Sequence, residues 1–194
     1  MRGQGLKQTN RQLKETKRIL GIDPGTVVTG YGLVDAQGSR LACVAYGVIR
    51  PGRKGMMPDR LATIYRDIKD LSSRYDPHVL AVEEAFYGDN PKTAIKLGQA
   101  RGVILVLGAL HGLEIAEYSP RFIRQAVVGM GSATKAQVQY MVTRVLGLSE
   151  VPQPADAGDA LAVALCYALR PRKIKPEDRR LTRAQRQLRA LGVI

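Results

Sequence analysis

Residues 18–49 read RILGIDPGTVVTGYGLVDAQGSRLACVAYGVI, and the fold turns on how this stretch divides. Residues 18–23 form a short apolar run that stops at Pro24-Gly25, the pattern of a buried strand ending in a turn. Residues 28–34 and 41–49 are two more β-rich runs, separated by the polar turn Ala36-Gln37-Gly38-Ser39. Three strands with such short connections predict an antiparallel meander, since parallel neighbours need a long crossover.

Downstream the periodicity changes. In residues 58–75, Leu61, Ile64, Tyr65, Ile68 and Leu71 recur at helical spacing among charges and stop at Asp76-Pro77, predicting an amphipathic helix. Residues 79–82 are an apolar strand running into Glu83. Residues 91–111 read as a long helix whose second half, VILVLGAL, is apolar all round, as in a helix that is deeply buried or covered by a partner. A short strand at 113–117 and helices at 120–128, 134–146 and 156–169 complete the chain. The expected class is α/β, with a five-stranded mixed sheet in which parallel strands follow the meander and helices flank it.

Composition narrows the chemistry. The chain has 194 residues, 45% hydrophobic and 24% charged, enough for one globular domain with tails. The longest uninterrupted apolar run, 103–110, has eight residues, and the first eighteen residues are polar and basic. Neither a membrane span nor a signal peptide is expected, which predicts a cytoplasmic protein. Cys43 and Cys166 lack metal-type spacing, so neither a zinc site nor a disulfide framework is expected. The net charge of +13 is uneven: residues 1–18 hold six basic and one acidic side chain, and residues 170–194 hold nine and two. The expected organisation is a basic N-terminal extension (1–18), a nearly neutral domain (19–169) and a basic C-terminal tail (170–194). Such arms suit a polyanion, although basic tails also serve solubility.

Three element ends carry the acids. Asp23 closes the first strand, where an open sheet places its ligands, although Asp before Pro-Gly is also a turn former. Glu83 closes the fourth strand with Glu84 on the opposite pleat, so one of the two must face the packed side. Asp156 and Asp159 open a nearly apolar helix at i, i+3 spacing and share one face. A single Asp there would serve as a cap, and Ala157-Gly158 between them predicts a surface left clear for something bulky. Carboxylates brought together repel unless a cation lies between them. Hard oxygen ligands without His or Cys point to Mg²⁺ or Mn²⁺, and two such ions are suited to cleaving a phosphodiester.

Four segments, GIDPGTVVTGYGLV (21–34), VEEAFYGDNPKTAIKLGQARGV (82–103), VVGMGSATKAQVQYMV (127–142) and PADAGDALAVAL (154–165), resemble in order the RuvC family of bacterial Holliday-junction resolvases. The likeness covers about residues 20–170. It implies a ribonuclease H-like fold, a homodimer acting on four-way junction DNA, and four carboxylates with divalent metal, which by motif are Asp23, Glu83, Asp156 and Asp159. It also implies that Lys135 and Arg124 face DNA near the scissile phosphate, that Phe86, with Tyr87 as a second aromatic, contacts bases at the junction centre, and that a branch-migration helicase of the RuvA and RuvB type is a partner. The apolar 103–110 helix is the expected dimer surface. Gly158 stands where the family usually has Ala, and Arg124 where some relatives have Lys. Two other classes fit parts of the pattern. Gly-Ile-Asp-x-Gly-Thr also opens the phosphate loop of actin- and Hsp70-type ATPases, which need two such domains, and a non-catalytic or RNA-directed relative would keep fold and tails without cutting.

Overall fold

The structure, a computed structural model, describes residues 15–52, 55–84 and 91–170. The elements in order are β1 (Lys17–Asp23), β2 (Thr29–Gln37), β3 (Arg40–Ile49), α1 (Met57–Tyr75), β4 (Val79–Glu83), α2 (Pro91–Leu110), β5 (Glu114–Tyr118), α3 (Pro120–Val128), α4 (Lys135–Leu146) and α5 (Ala155–Leu169). They form one five-stranded sheet of order β3-β2-β1-β4-β5. β1 pairs antiparallel with β2 and parallel with β4, and β5 is parallel to β4. The C-terminal ends of β1, β4 and β5 therefore share one edge.

β1 and β4 are central and buried on both faces, which is why their sequences are continuous apolar runs. Leu20, Ile22, Leu80 and Val82 turn to one side and pack with Ile64 and Ile68 of α1 and Ile104 and Leu107 of α2. Ile19, Val79 and Ala81 turn to the other and pack with Ile123 of α3, Val142 of α4 and Leu161 and Leu165 of α5. The two-residue period of the strands then places Asp23 and Glu83 on the α5 side, with Glu84 on the opposite side.

α5 lies unusually close to the sheet. A Cβ on Gly21 would stand 2.2 Å from the Ala160 carbonyl oxygen, and one on Gly30 would stand 2.0 Å from that of Asp156. Only glycine permits this approach, and it brings the start of α5 down over the end of β1.

The meander turn is tighter than the sequence predicts. β2 and β3 pair as far as Gln37 and Arg40, with Gly38 at φ +65° in the turn, because a glycine in the left-handed region lets the ladder continue to the last residue. By length and composition alone, α2 contains an 18-residue window, mean hydropathy 1.3, that could cross a membrane. Here it packs through Ala100, Ile104, Leu107 and Gly108, leaving Val106 and Leu110 57% and 72% exposed. Leu61 and Tyr65 of α1 and Gly102, Val103 and Val106 of α2 line an open apolar groove of about 370 Å³. Phe86, Tyr87 and most of both basic tails lie outside the described residues.

Candidate active site

Asp23 and Glu83 stand side by side, each the residue after the paired Ile22 and Val82. α5 brings Asp156 and Asp159 over them. The N-cap of α5 is Pro154 and no side chain makes a capping bond there, so neither aspartate is used as a cap. Ala157 and Gly158 correct a prediction, since both are buried rather than forming a clear surface. They face inward because the acids occupy the other side of the first turn.

α4 supplies the opposite wall. Its N-cap Thr134 accepts from the Gln137 backbone N–H in a reciprocal capping box, which fixes the first turn and hence Lys135. Lys135 Nζ lies 2.6 Å from Asp159 Oδ2. One turn later, the Gln139 side-chain amide donates to Asp159 Oδ1 at 2.8 Å and to the Ala155 carbonyl at 3.1 Å. Sequence reasoning missed Gln139. Its signal was available as the i, i+4 partner of Lys135 on the same helix face.

Arg124 reaches the site from α3. Its Nε donates to the Gly131 carbonyl at 2.9 Å, while the Gln125 side chain donates to the Gly129 carbonyl and accepts from the Gly131 N–H. Two adjacent side chains thus pin the glycine loop that leads to Lys135. Glu83, Arg124, Lys135 and Asp159 line a cleft of about 170 Å³, floored by Ile123, Val138 and Ala162.

The charge balance is negative. Burial, then the charges of Glu83, Asp159 and Asp156, push the Asp23 carboxyl up to about 8 against the pull of Lys135. Burial and then Asp159 push Glu83 up to about 7, opposed by Arg124 and Lys135. The Lys135 ammonium is raised by its hydrogen bond to Asp159 and by the charges of Asp159, Asp156 and Asp23. Asp23 thus feels the charge of the other three carboxylates, which come from β4 and α5. Glu84 is exposed, as expected for the opposite pleat.

Among the described residues, no three acidic, His or Cys side chains converge closely enough as they stand to grip one ion. The donor set fits a hard divalent cation all the same. It is oxygen only, it carries excess negative charge, and an ammonium already sits against one carboxylate, at a place where positive charge is stabilised.

A family model described as crossover junction endodeoxyribonuclease RuvC matches residues 19–167. RuvC of Syntrophomonas wolfei is 50% identical over 150 residues, covering 77% of this chain and 87% of the relative. RuvC of Moorella thermoacetica is 52% identical, covering 77% and 90%. The fold matches that of Thermus thermophilus RuvC in complex with a Holliday junction substrate, with a TM-score of 0.74 and 32% identity over 79% of this chain and 93% of that one. The mixed sheet is accordingly a ribonuclease H-like one. A single sheet whose acids gather at the strand ends, matched along its whole length to one enzyme family, leaves the two-domain ATPase reading without support, and the chain belongs to the RuvC family of crossover junction endodeoxyribonucleases.

Proposed function

We propose that this chain resolves four-way DNA junctions by metal-dependent hydrolysis, nicking two strands of like polarity and leaving 5′-phosphate and 3′-hydroxyl ends. The observation that carries the reading is that Asp23 and Glu83 end adjacent parallel strands beside the start of α5, which carries Asp156 and Asp159, the latter 2.6 Å from Lys135 Nζ. These four carboxylates, with Asp23 on the central strand next to both Glu83 and α5, would hold Mg²⁺ or Mn²⁺, two ions per site. Bound divalent ions supply Lewis acidity toward phosphate oxygens and make water acidic enough to attack at neutral pH.

The remaining roles belong to the protein. Lys135, 61% exposed at its side chain, is free to swing from Asp159 to a phosphate oxygen. Arg124 keeps the glycine loop in place through Nε and presents the rest of its guanidinium to the backbone near the cut. Phe86 and Tyr87 would contact bases at the junction centre, where stacking rewards an aromatic.

A junction has approximate two-fold symmetry, so a symmetric homodimer would set one site on each of two strands. The exposed apolar side of α2 with its groove against α1 is the surface we assign to that contact. The tails, 1–18 and 170–194, would add affinity for DNA around the 19–169 domain. A RuvA and RuvB type helicase is the expected partner, in the bacterial cytoplasm.

Synthetic four-way junctions and matched linear duplexes, incubated with Mg²⁺, Mn²⁺ or EDTA, test the reading against an Asp23→Asn variant. Paired nicks on the junction alone, lost in EDTA and in the variant, are expected. Junction binding without cutting under either metal would overturn the nuclease and leave a binding-only relative.

A further inference from the structure

Asp159 is held at both oxygens by one face of α4. Lys135 takes Oδ2 at 2.6 Å and Gln139 takes Oδ1 at 2.8 Å. The two contacts differ in kind. Lys135 is exposed, whereas Gln139 is 93% buried, with 7% of its surface left accessible. The second N–H of the Gln139 amide is fixed on the Ala155 carbonyl at the start of α5. Both amide protons are therefore committed, and a buried donor that loses either acceptor is costly. The amide also has space made for it. A Cβ on Gly158 would stand 1.9 Å from Gln139 Oε1 and 2.7 Å from Nε2, so glycine at this one helical position leaves the pocket that the amide fills. Among the described residues, Oε1 is buried with no hydrogen-bond partner, so the contacts that orient the amide lie on its donor side.

We infer that Gln139 is a positioning residue for the reaction: it fixes Asp159 through Oδ1 and so holds Oδ2 in place whether the neighbouring charge is the Lys135 ammonium or a divalent ion. A neutral donor suits this task. It orients the carboxylate without competing for its charge, as outer partners of metal ligands do, and losing such a partner typically costs 10–100-fold in metal affinity or activity. The inference rests on the metal-dependent reading given above, but its test separates from that reading.

The variants are Gln139→Met, which keeps length and packing but removes both donors, and Gln139→Ala, which removes the amide altogether. Mn²⁺ binding to the DNA-free protein is read by electron paramagnetic resonance of free Mn²⁺, junction binding is read in EDTA, and single-turnover cleavage is followed on a four-way junction. Gln139→Met is expected to weaken Mn²⁺ binding about tenfold and slow cleavage 10–100-fold, with junction affinity in EDTA unchanged. Gln139→Ala is expected to do the same. If wild type binds Mn²⁺ and cuts but Gln139→Met matches it in both, Gln139 only fills space and the inference is wrong. Wild type that neither binds Mn²⁺ nor cuts would instead sink the nuclease reading itself.

Discussion

Asp23→Asn should make the metal-free protein more stable while destroying its activity, and the gain should depend on pH. The Asp23 carboxyl is pushed from its ordinary 3.8 up to about 8, first by burial and then by Glu83, Asp159 and Asp156. Below pH 3.8 both folded and unfolded chains hold the proton, and the stability that goes with the protonated form is fully present. Between 3.8 and about 8 the unfolded chain releases the proton while the folded one keeps it, so stability falls as pH rises. Above about 8 both are ionised and the loss levels off. Each pKa unit corresponds to about 1.4 kcal/mol, so the full shift amounts to about 6 kcal/mol.

The cleft is open and Lys135 lies beside it, so water and the ammonium recover part of this cost, and we expect about 2–3 kcal/mol at pH 8.5. For a domain of this size that is a rise of roughly 5–10 °C in Tm. Asparagine cannot ionise, so its advantage should be small at pH 4.5, grow through neutrality and flatten above pH 8. Thermal melts of both proteins in EDTA from pH 4.5 to 9 read this directly. Saturating Mg²⁺ should narrow or reverse the gap, because an ion bound only by the folded wild type stabilises it by mass action. A variant no more stable than wild type at pH 8.5 in EDTA, or a gap that does not change with pH, would refute the view of this site as strained by its own charge.

Three further outcomes follow from other parts of the structure. Gly21→Ala drives a Cβ to 2.2 Å from the Ala160 carbonyl and should destabilise the fold by about 3 kcal/mol or more, seen as a lowered urea midpoint. Val106→Glu puts a charge on the exposed apolar side of α2. It should shift the protein to monomer in sedimentation velocity and abolish paired nicking, whereas an unchanged dimer would move the interface elsewhere. Deleting residues 1–14 and 171–194 removes twelve of the thirty basic residues. The slope of log affinity against log salt should flatten by roughly 0.9 for each phosphate no longer neutralised, with the cleavage rate at saturating protein unchanged.

The sheet was legible because its strands are punctuated. Asp23 runs into Pro24-Gly25, Asp76 into Pro77, and Gly38 marks the hairpin, so the period-2 and period-3.6 segments are cut where the structure cuts them. The acids were legible for the same reason, each standing at an element end. Glu83 over Glu84 was not legible from the strand alone, because alternation says only that the two differ. What decides it is that Val79 and Ala81, four and two residues back, pack on α5, and no local pattern shows which face α5 will cover.

The role of the glycines was hidden by the same gap between pattern and contact. Gly21 and Gly30 offer no side chain for a strand to pack, yet each is where the backbone of α5 meets the sheet, and that close approach is what lowers Asp156 and Asp159 toward Asp23. Gly158 read as clearance for a bulky ligand, and the bulky group turned out to be Gln139 from the chain itself. In all three cases the missing side chain is a distance restraint on a partner far away in sequence. A glycine in a strand or in the first turn of a helix near acidic residues is therefore better read as a question about what must come close than as a break in the element. Here the answer at each position is a close approach between α5 and the elements beside it, and the pH-dependent melts of Asp23→Asn read what that approach costs in like charge.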